Sequence, residues 1–226
     1  MRIFTAKAFA CAAALSFALS ACDSPLSTRP AAAYNPTALT NGLYYRWASG
    51  SIVKVWVVQA GLTTTADLEG AVSRALPVWN TVPQYNEVQL IAATSAAEAN
   101  IIVYDASVPM PVVPPATCAF DARGAGGYTY FCDGKNIEGA DNALVVPLTT
   151  GGGVATVVIR VDRSRVSTAA AYDAIVAHEF GHALGIGAHS DSATDLMFIN
   201  PSITAPSERD KATLRFVLGQ APQLRL

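Results

Sequence analysis

The stretch His178-Glu179-Phe180-Gly181-His182-Ala183-Leu184-Gly185-Ile186-Gly187-Ala188-His189 contains every histidine of the 226-residue chain, three in all. On a helix, positions four apart share one face, so His178 and His182 offer two imidazoles to one ion. Glu179, one residue after the first of them, is placed to act on water that a metal activates rather than to bind the metal. Gly185 suits the left-handed conformation that ends a helix and turns the chain. That turn brings His189 back as a third ligand and leaves a fourth position for water or substrate, as catalytic zinc sites require. Asp191 is the alternative third ligand, since a carboxylate also binds zinc. A buried helix that merely spells H-E-x-x-H is the competing reading. The glycine and the third histidine behind it, in a chain with no other histidine, weigh against it.

In these residues the chain resembles the metzincin metallopeptidases, and among them the matrixin-like branch. The family pattern is H-E-x-x-H-x-x-G-x-x-H followed by a methionine turn. His178, Glu179, His182 and Gly185 meet it in register. The third histidine departs from it: Ala188 holds the usual position and His189 comes one residue later, which reads as a one-residue insertion. Asp195-Leu196-Met197-Phe198 follows, and the resemblance implies that Met197 forms an apolar floor beneath the metal. It also implies an α+β, zincin-like fold: a twisted, mostly parallel sheet with two helices, the active-site helix, the methionine turn and a C-terminal helix. One catalytic zinc ion, endopeptidase activity and a peptide or protein substrate are implied with it. In the family such a substrate lies extended along an exposed sheet edge before the active-site helix. The strand expected at 143–148 is the candidate edge, and residues 198–203 would wall the pocket beside the scissile bond.

Composition bounds the rest. Hydrophobic residues make up 51% and charged residues 14% of the chain, enough for one globular domain with a sizeable core. A formal charge of −2 without a basic cluster argues against nucleic acid and against an anionic membrane surface as partners. A monomer is expected. Residues 1–21 read as a leader, with Arg2 and Lys7 before an apolar run too short to span a bilayer. Leu19-Ser20-Ala21-Cys22 resembles a bacterial lipobox, which implies cleavage before Cys22, a lipid on that cysteine and an envelope location, periplasmic or surface-exposed. Loss of Arg2 and Lys7 would take the formal charge from −2 to about −4. Residues 22–50, rich in Pro, Ala, Thr and Asn, read as a tether to a catalytic domain at 51–226. They hold no cysteine able to cap a zinc ion beyond the lipidated one.

Residues 52–58 alternate as a strand around Lys54. Thr64-Thr65-Ala66-Asp67 opens a helix with Leu68, Val72, Ala75, Leu76 and Trp79 on one face, and Pro77 predicts a kink or an early end. Short strands are expected at 88–91 and 100–104. Residues 107–142 begin with four prolines and fit the plan least well. With Cys11 removed and Cys22 lipidated, Cys118 and Cys132 are the thiols left in an oxidising compartment, so a disulfide is expected. Closing its loop of about 15 residues is worth roughly 3 kcal/mol. Asp133, Glu138 and Asp141 do not follow the calcium-loop spacing, so a solvated loop is the better reading there and Ca2+ is unsupported. Strands at 143–148 and 154–161 precede a helix capped by Ser167 or Thr168, in which Ile175, Val176, Phe180 and Leu184 face the sheet. Ser207 with Asp210 opens a last helix that turns Leu214, Val217 and Leu218 inward and stops at Gly219. Two other functions remain open on sequence alone. One is a zinc-binding envelope lipoprotein whose site is closed by Asp191. The other is a zinc hydrolase of a cell-wall amide. Glu179 favours catalysis, because a purely structural site has no use for it.

Overall fold

A computed structural model describes residues 31–40, 42–58, 63–108, 126–132, 145–148 and 157–220. The chain forms strands β1 (Tyr44–Trp47), β2 (Ser51–Val57), β3 (Val88–Ala92), β4 (Ile101–Asp105), β5 (Gly127–Phe131), β6 (Val145–Leu148) and β7 (Val157–Val161). The helices are α1 (Thr63–Asn80), α2 (Ala169–Ala183) and α3 (Glu208–Leu218). The architecture is α+β. A five-stranded sheet runs β3-β2-β4-β7-β5, with the first four strands parallel and β5 antiparallel to β7 at the edge.

The burial pattern follows from this order. Strand β4, at the centre, is buried at every position, as a strand covered on both faces must be. Strand β2 turns Ser51, Val53 and Val55 inward and leaves Ile52 in solvent. Helices α1 and α2 cover one face, and the main core lies between them and the sheet. A smaller cluster around Ile102, Tyr104, Tyr130 and Val158 occupies the other face. The α1 stripe expected from the spacing is the one that packs: Leu68, Val72, Ala75 and Trp79 are buried. Pro77 does not end the helix, which continues to Asn80. It lies on the exposed side with Ser73, where water can satisfy the carbonyl that the missing N–H leaves free. Among the described residues no helix is long and apolar enough to cross a membrane.

Two expectations change here. The stretch expected as a tether belongs to the folded domain from residue 31 onward. Its β1 pairs with β6, Trp47 is fully buried, and Trp47 Nε1 donates to Ala183 O at 2.9 Å. The physical reason is the aromatic-rich run Leu43-Tyr44-Tyr45-Arg46-Trp47, whose alternate residues Tyr45 and Trp47 are buried and which a Pro/Thr/Asn-rich average conceals. The expected edge strand is also displaced. β6 is hydrogen-bonded to β1 in a separate two-stranded sheet, and the last strand of the main sheet beside α2 is β5. Gly127-Tyr128-Thr129-Tyr130-Phe131 alternates small and aromatic side chains, a strand signal set inside a segment read as irregular. Of the expected disulfide, Cys132 is buried at the end of β5, and Cys118 lies outside the described residues. So do residues 1–30, with Cys22, and Asp133, Glu138 and Asp141.

Candidate metal centre

Helix α2 starts where Thr168 Oγ1 accepts from Ala171 N at 3.1 Å, the N-cap that supplies one orphan helix donor with a partner. Apolar contacts hold its last two turns rigid, with Val176, Phe180 and Leu184 in the core. Two indoles also pin it: Trp79 Nε1 donates to Ala177 O at 2.7 Å and Trp47 Nε1 to Ala183 O. Gly185, at φ +116°, turns the chain out of the helix against the Tyr45 carbonyl, where no Cβ fits. The turn carries His189 back over the face that bears His178 and His182.

The three imidazoles converge. Ring centroids are 4.7 Å apart for His178–His182 and 5.2 Å for each pair with His189, and one ligand atom from each lies within 4.8 Å of the others. A carbonyl can only accept, so the tautomers are set by the backbone. His178 Nδ1 donates to Leu196 O at 2.8 Å and His182 Nδ1 to Ile186 O at 2.6 Å. Both Nε2 atoms are then unprotonated, and they face each other at 3.1 Å. Two lone pairs at that distance repel unless a cation lies between them, which is how the residues present fit a metal. Tetrahedral zinc with bonds of about 2.0–2.1 Å would hold its nitrogens about 3.3 Å apart. Burial drives the His178 pKa down to about 4 and holds His182 well below the usual imidazole range; burial also lowers His189, which is half-exposed. Neutral imidazoles are the form that binds metal.

Asp191, the alternative ligand, is not in this cluster. Its exposed carboxylate pairs with Arg209 at 2.6 Å. Met197 is fully buried beneath the helix, and a Cβ on Gly181 would overlap its Sδ and press on Trp79. The methionine turn is clasped from α3. Asp210 Oδ2 accepts from Leu196 N at 2.8 Å and Ser207 N at 2.9 Å, while Oδ1 accepts from Met197 N and from the Tyr34 hydroxyl. Ser190 N donates to Met197 O at 2.7 Å, tying the His189 loop to the same turn.

Glu179 is buried beside the histidines. Burial pushes its carboxyl up to about 8, against the opposing hydrogen bond from Thr129. The centre opens into a cleft of about 1130 Å³. His178, Glu179, His182 and His189 line it, with β5 along one flank and Leu39, Thr40 and Ile199 among its other walls. The structure brings together the three histidines that the sequence singled out, and Glu179 lines the same cleft. Sequence reading missed Thr129, the Asp210 clasp and the N-terminal wall; the capping pair Ser207 and Asp210 was visible only as a helix start. No protein-family model and no curated protein matches the chain, so the reading of this centre rests on its own residues.

Proposed function

We propose that the chain is a zinc-dependent endopeptidase of the metzincin, matrixin-like type that hydrolyses peptide bonds in an extended substrate. The observation that carries this reading is the convergence of His178, His182 and His189 in an open cleft with the Glu179 carboxylate next to them. Three neutral imidazoles are a donor set of catalytic zinc, which keeps a fourth position for water or substrate. The engagement of Asp191 by Arg209 speaks against a protein carboxylate closing that position. Zinc held here would lower the pKa of water from 15.7 toward ~7 and polarise the substrate carbonyl.

The chain's own residues supply the rest. The Leu196 and Ile186 carbonyls engage both Nδ1 atoms and leave both Nε2 lone pairs free to hold an ion. Glu179 accepts a proton from the attacking water and returns it to the leaving amine nitrogen. Its burial eases the first step, because the protonated acid is the form a buried carboxyl prefers. Strand β5, the sheet's last strand and a wall of the cleft, takes the edge role expected of 143–148. Its outer main-chain groups would pair with a peptide of any sequence. Residues 1–21 are read as a lipoprotein leader and Cys22 as the residue that takes the lipid on the same footing, so Cys22→Ala should abolish lipid labelling of the protein.

Metal analysis coupled to a peptide-library digest, with and without chelator, tests the reading. One zinc per chain, cleavage that chelation abolishes, and a Glu179→Ala variant that keeps zinc but not cleavage are expected. Retained cleavage by that variant would refute the role of Glu179. Zinc at full stoichiometry with no peptide cleaved would overturn the peptidase assignment, and hydrolysis confined to purified cell wall would move it to the amide linkages there.

A further inference from the structure

Strand β5 does more than border the cleft. Its side chains alternate: Tyr128 and Tyr130 lie on the far face with their rings tilted and centroids 4.4 Å apart, while Gly127, Thr129 and Phe131 turn toward α2 and β1. The Thr129 hydroxyl reaches Glu179 twice, donating toward Oε2 at 2.6 Å and lying 3.1 Å from the Glu179 main-chain O. A hydroxyl carries one proton, so the short contact to the carboxylate takes it when Glu179 is ionised. The neighbouring strand position closes the other side. A Cβ on Gly127 would lie 2.5 Å from Glu179 Oε1, so only a glycine lets the carboxylate rest against the β5 backbone.

The geometry points to Thr129 as a positioning residue that fixes the plane of the Glu179 carboxylate and ties it to the strand along which substrate would lie. A glutamate side chain has three rotatable bonds, and its reach alone does not aim it. The helix sets the Glu179 backbone, Thr129 holds one carboxylate oxygen, and Gly127 leaves the space the other occupies. Because Thr129 belongs to the edge strand, any peptide that straightens that edge also braces the general base. This inference rests on the hydrolytic reading above, so its test has one arm that needs no turnover.

That arm is crystallography of the zinc-loaded protein in wild-type, Thr129→Val and Thr129→Ser forms. Valine keeps the β-branched shape and removes the hydroxyl, whereas serine keeps the hydroxyl and removes the methyl. The Glu179 carboxylate should hold one orientation in the wild type and in T129S and leave it in T129V. An unchanged carboxylate in T129V overturns the inference, whether or not the protein cleaves anything. The second arm is kinetic. In T129V, kcat should fall about 10–100-fold with KM within about twofold, and T129S should recover most of it. A merely structural role would lower melting temperature and raise KM, and T129S would share the loss. Equal kcat for T129V and wild type overturns the inference. A wild type that cleaves no peptide sinks the hydrolytic reading, and the crystallographic arm still decides whether Thr129 orients the carboxylate.

Discussion

Gly181 stands between the two helical histidines and carries a stability argument of unusual sign. Alanine is favoured over glycine in a helix interior by about 1 kcal/mol, so Gly181→Ala would ordinarily stabilise. Here the added Cβ would collide with the Met197 sulfur and the Trp79 ring, both fully buried. Overpacking of a filled core costs about 1–3 kcal/mol, which outweighs the propensity gain. A lower melting temperature for Gly181→Ala, together with weaker zinc binding, is the expected outcome, and a stabilised variant would contradict the packing of Met197 under the helix. The titrating groups of the centre make a second residue-scale prediction, for metal-free protein. Burial raises the Glu179 carboxyl to about 8, so the folded state binds more protons than the unfolded chain between about 8 and the usual carboxyl range, and stability rises as pH falls from 8. Burial lowers all three histidines, so below about 6.5 the unfolded chain takes up more protons than the folded one, and stability falls. Three groups then oppose one. The melting temperature of chelator-treated protein should therefore pass through a maximum near pH 6.5, and a steady rise from pH 5 to 8.5 would count against the neutral, buried centre.

The elements around the centre differ in how well a sequence announces them. Helix α2 was legible because chemistry and periodicity coincide in it: the same residues that could hold a metal also set the helix face. Helix α3 was legible through its cap, with Ser207, Asp210, Leu214, Val217 and Leu218 at helical spacing. Strand β5 was not, because four prolines upstream and two cysteines around it suggested irregular chain, and five residues carry little periodic signal. The third ligand was ambiguous between His189 and Asp191 because local spacing cannot say which side chain a turn brings inward. Arg209, eighteen residues further on, holds Asp191 outward, while His189 joins the other two histidines. The Asp210 clasp could not be read at all, since a capping carboxylate looks the same whether or not it also receives another element's N–H groups. That double duty is testable. Asp210→Ala leaves the buried Leu196 N–H and the partly buried Ser207 N–H without their acceptor, a loss of about 1–3 kcal/mol for a fully buried unsatisfied group. The variant should unfold several degrees lower and bind zinc more weakly, because Leu196 O, which orients His178, belongs to the same turn. Tyr34→Phe removes a single donor to Asp210 and should show a smaller drop.

At the scale of the whole molecule, the segment before β2 is a third layer that straps the sheet and helices together around the centre. Tyr34 reaches α3, and Leu39 N donates to Gly187 O at 2.8 Å beside the histidine turn. Tyr45 stacks on Phe131 of β5 with centroids 4.1 Å apart, and Arg46 donates to Gln220 O at 2.8 Å. Trp47, fully buried, closes on the last turn of α2. One short stretch thus contacts β5, the histidine turn and α2, which line the cleft, and the C-terminal helix behind them. A domain drawn from residue 51 onward would lack all of these contacts, so a chain starting there should fail to give a soluble protein with a cooperative transition. A chain starting at residue 31 should retain both. Trp47→Ala isolates the effect in one side chain, at an expected cost of about 3–5 kcal/mol for truncating a buried tryptophan. Trp47→Phe keeps most of the ring volume but gives up the indole N–H, so it should fall between wild type and alanine in denaturant unfolding. If the chain from residue 51 melts like the longer form and binds zinc equally well, the strap is dispensable and the domain does begin at β2.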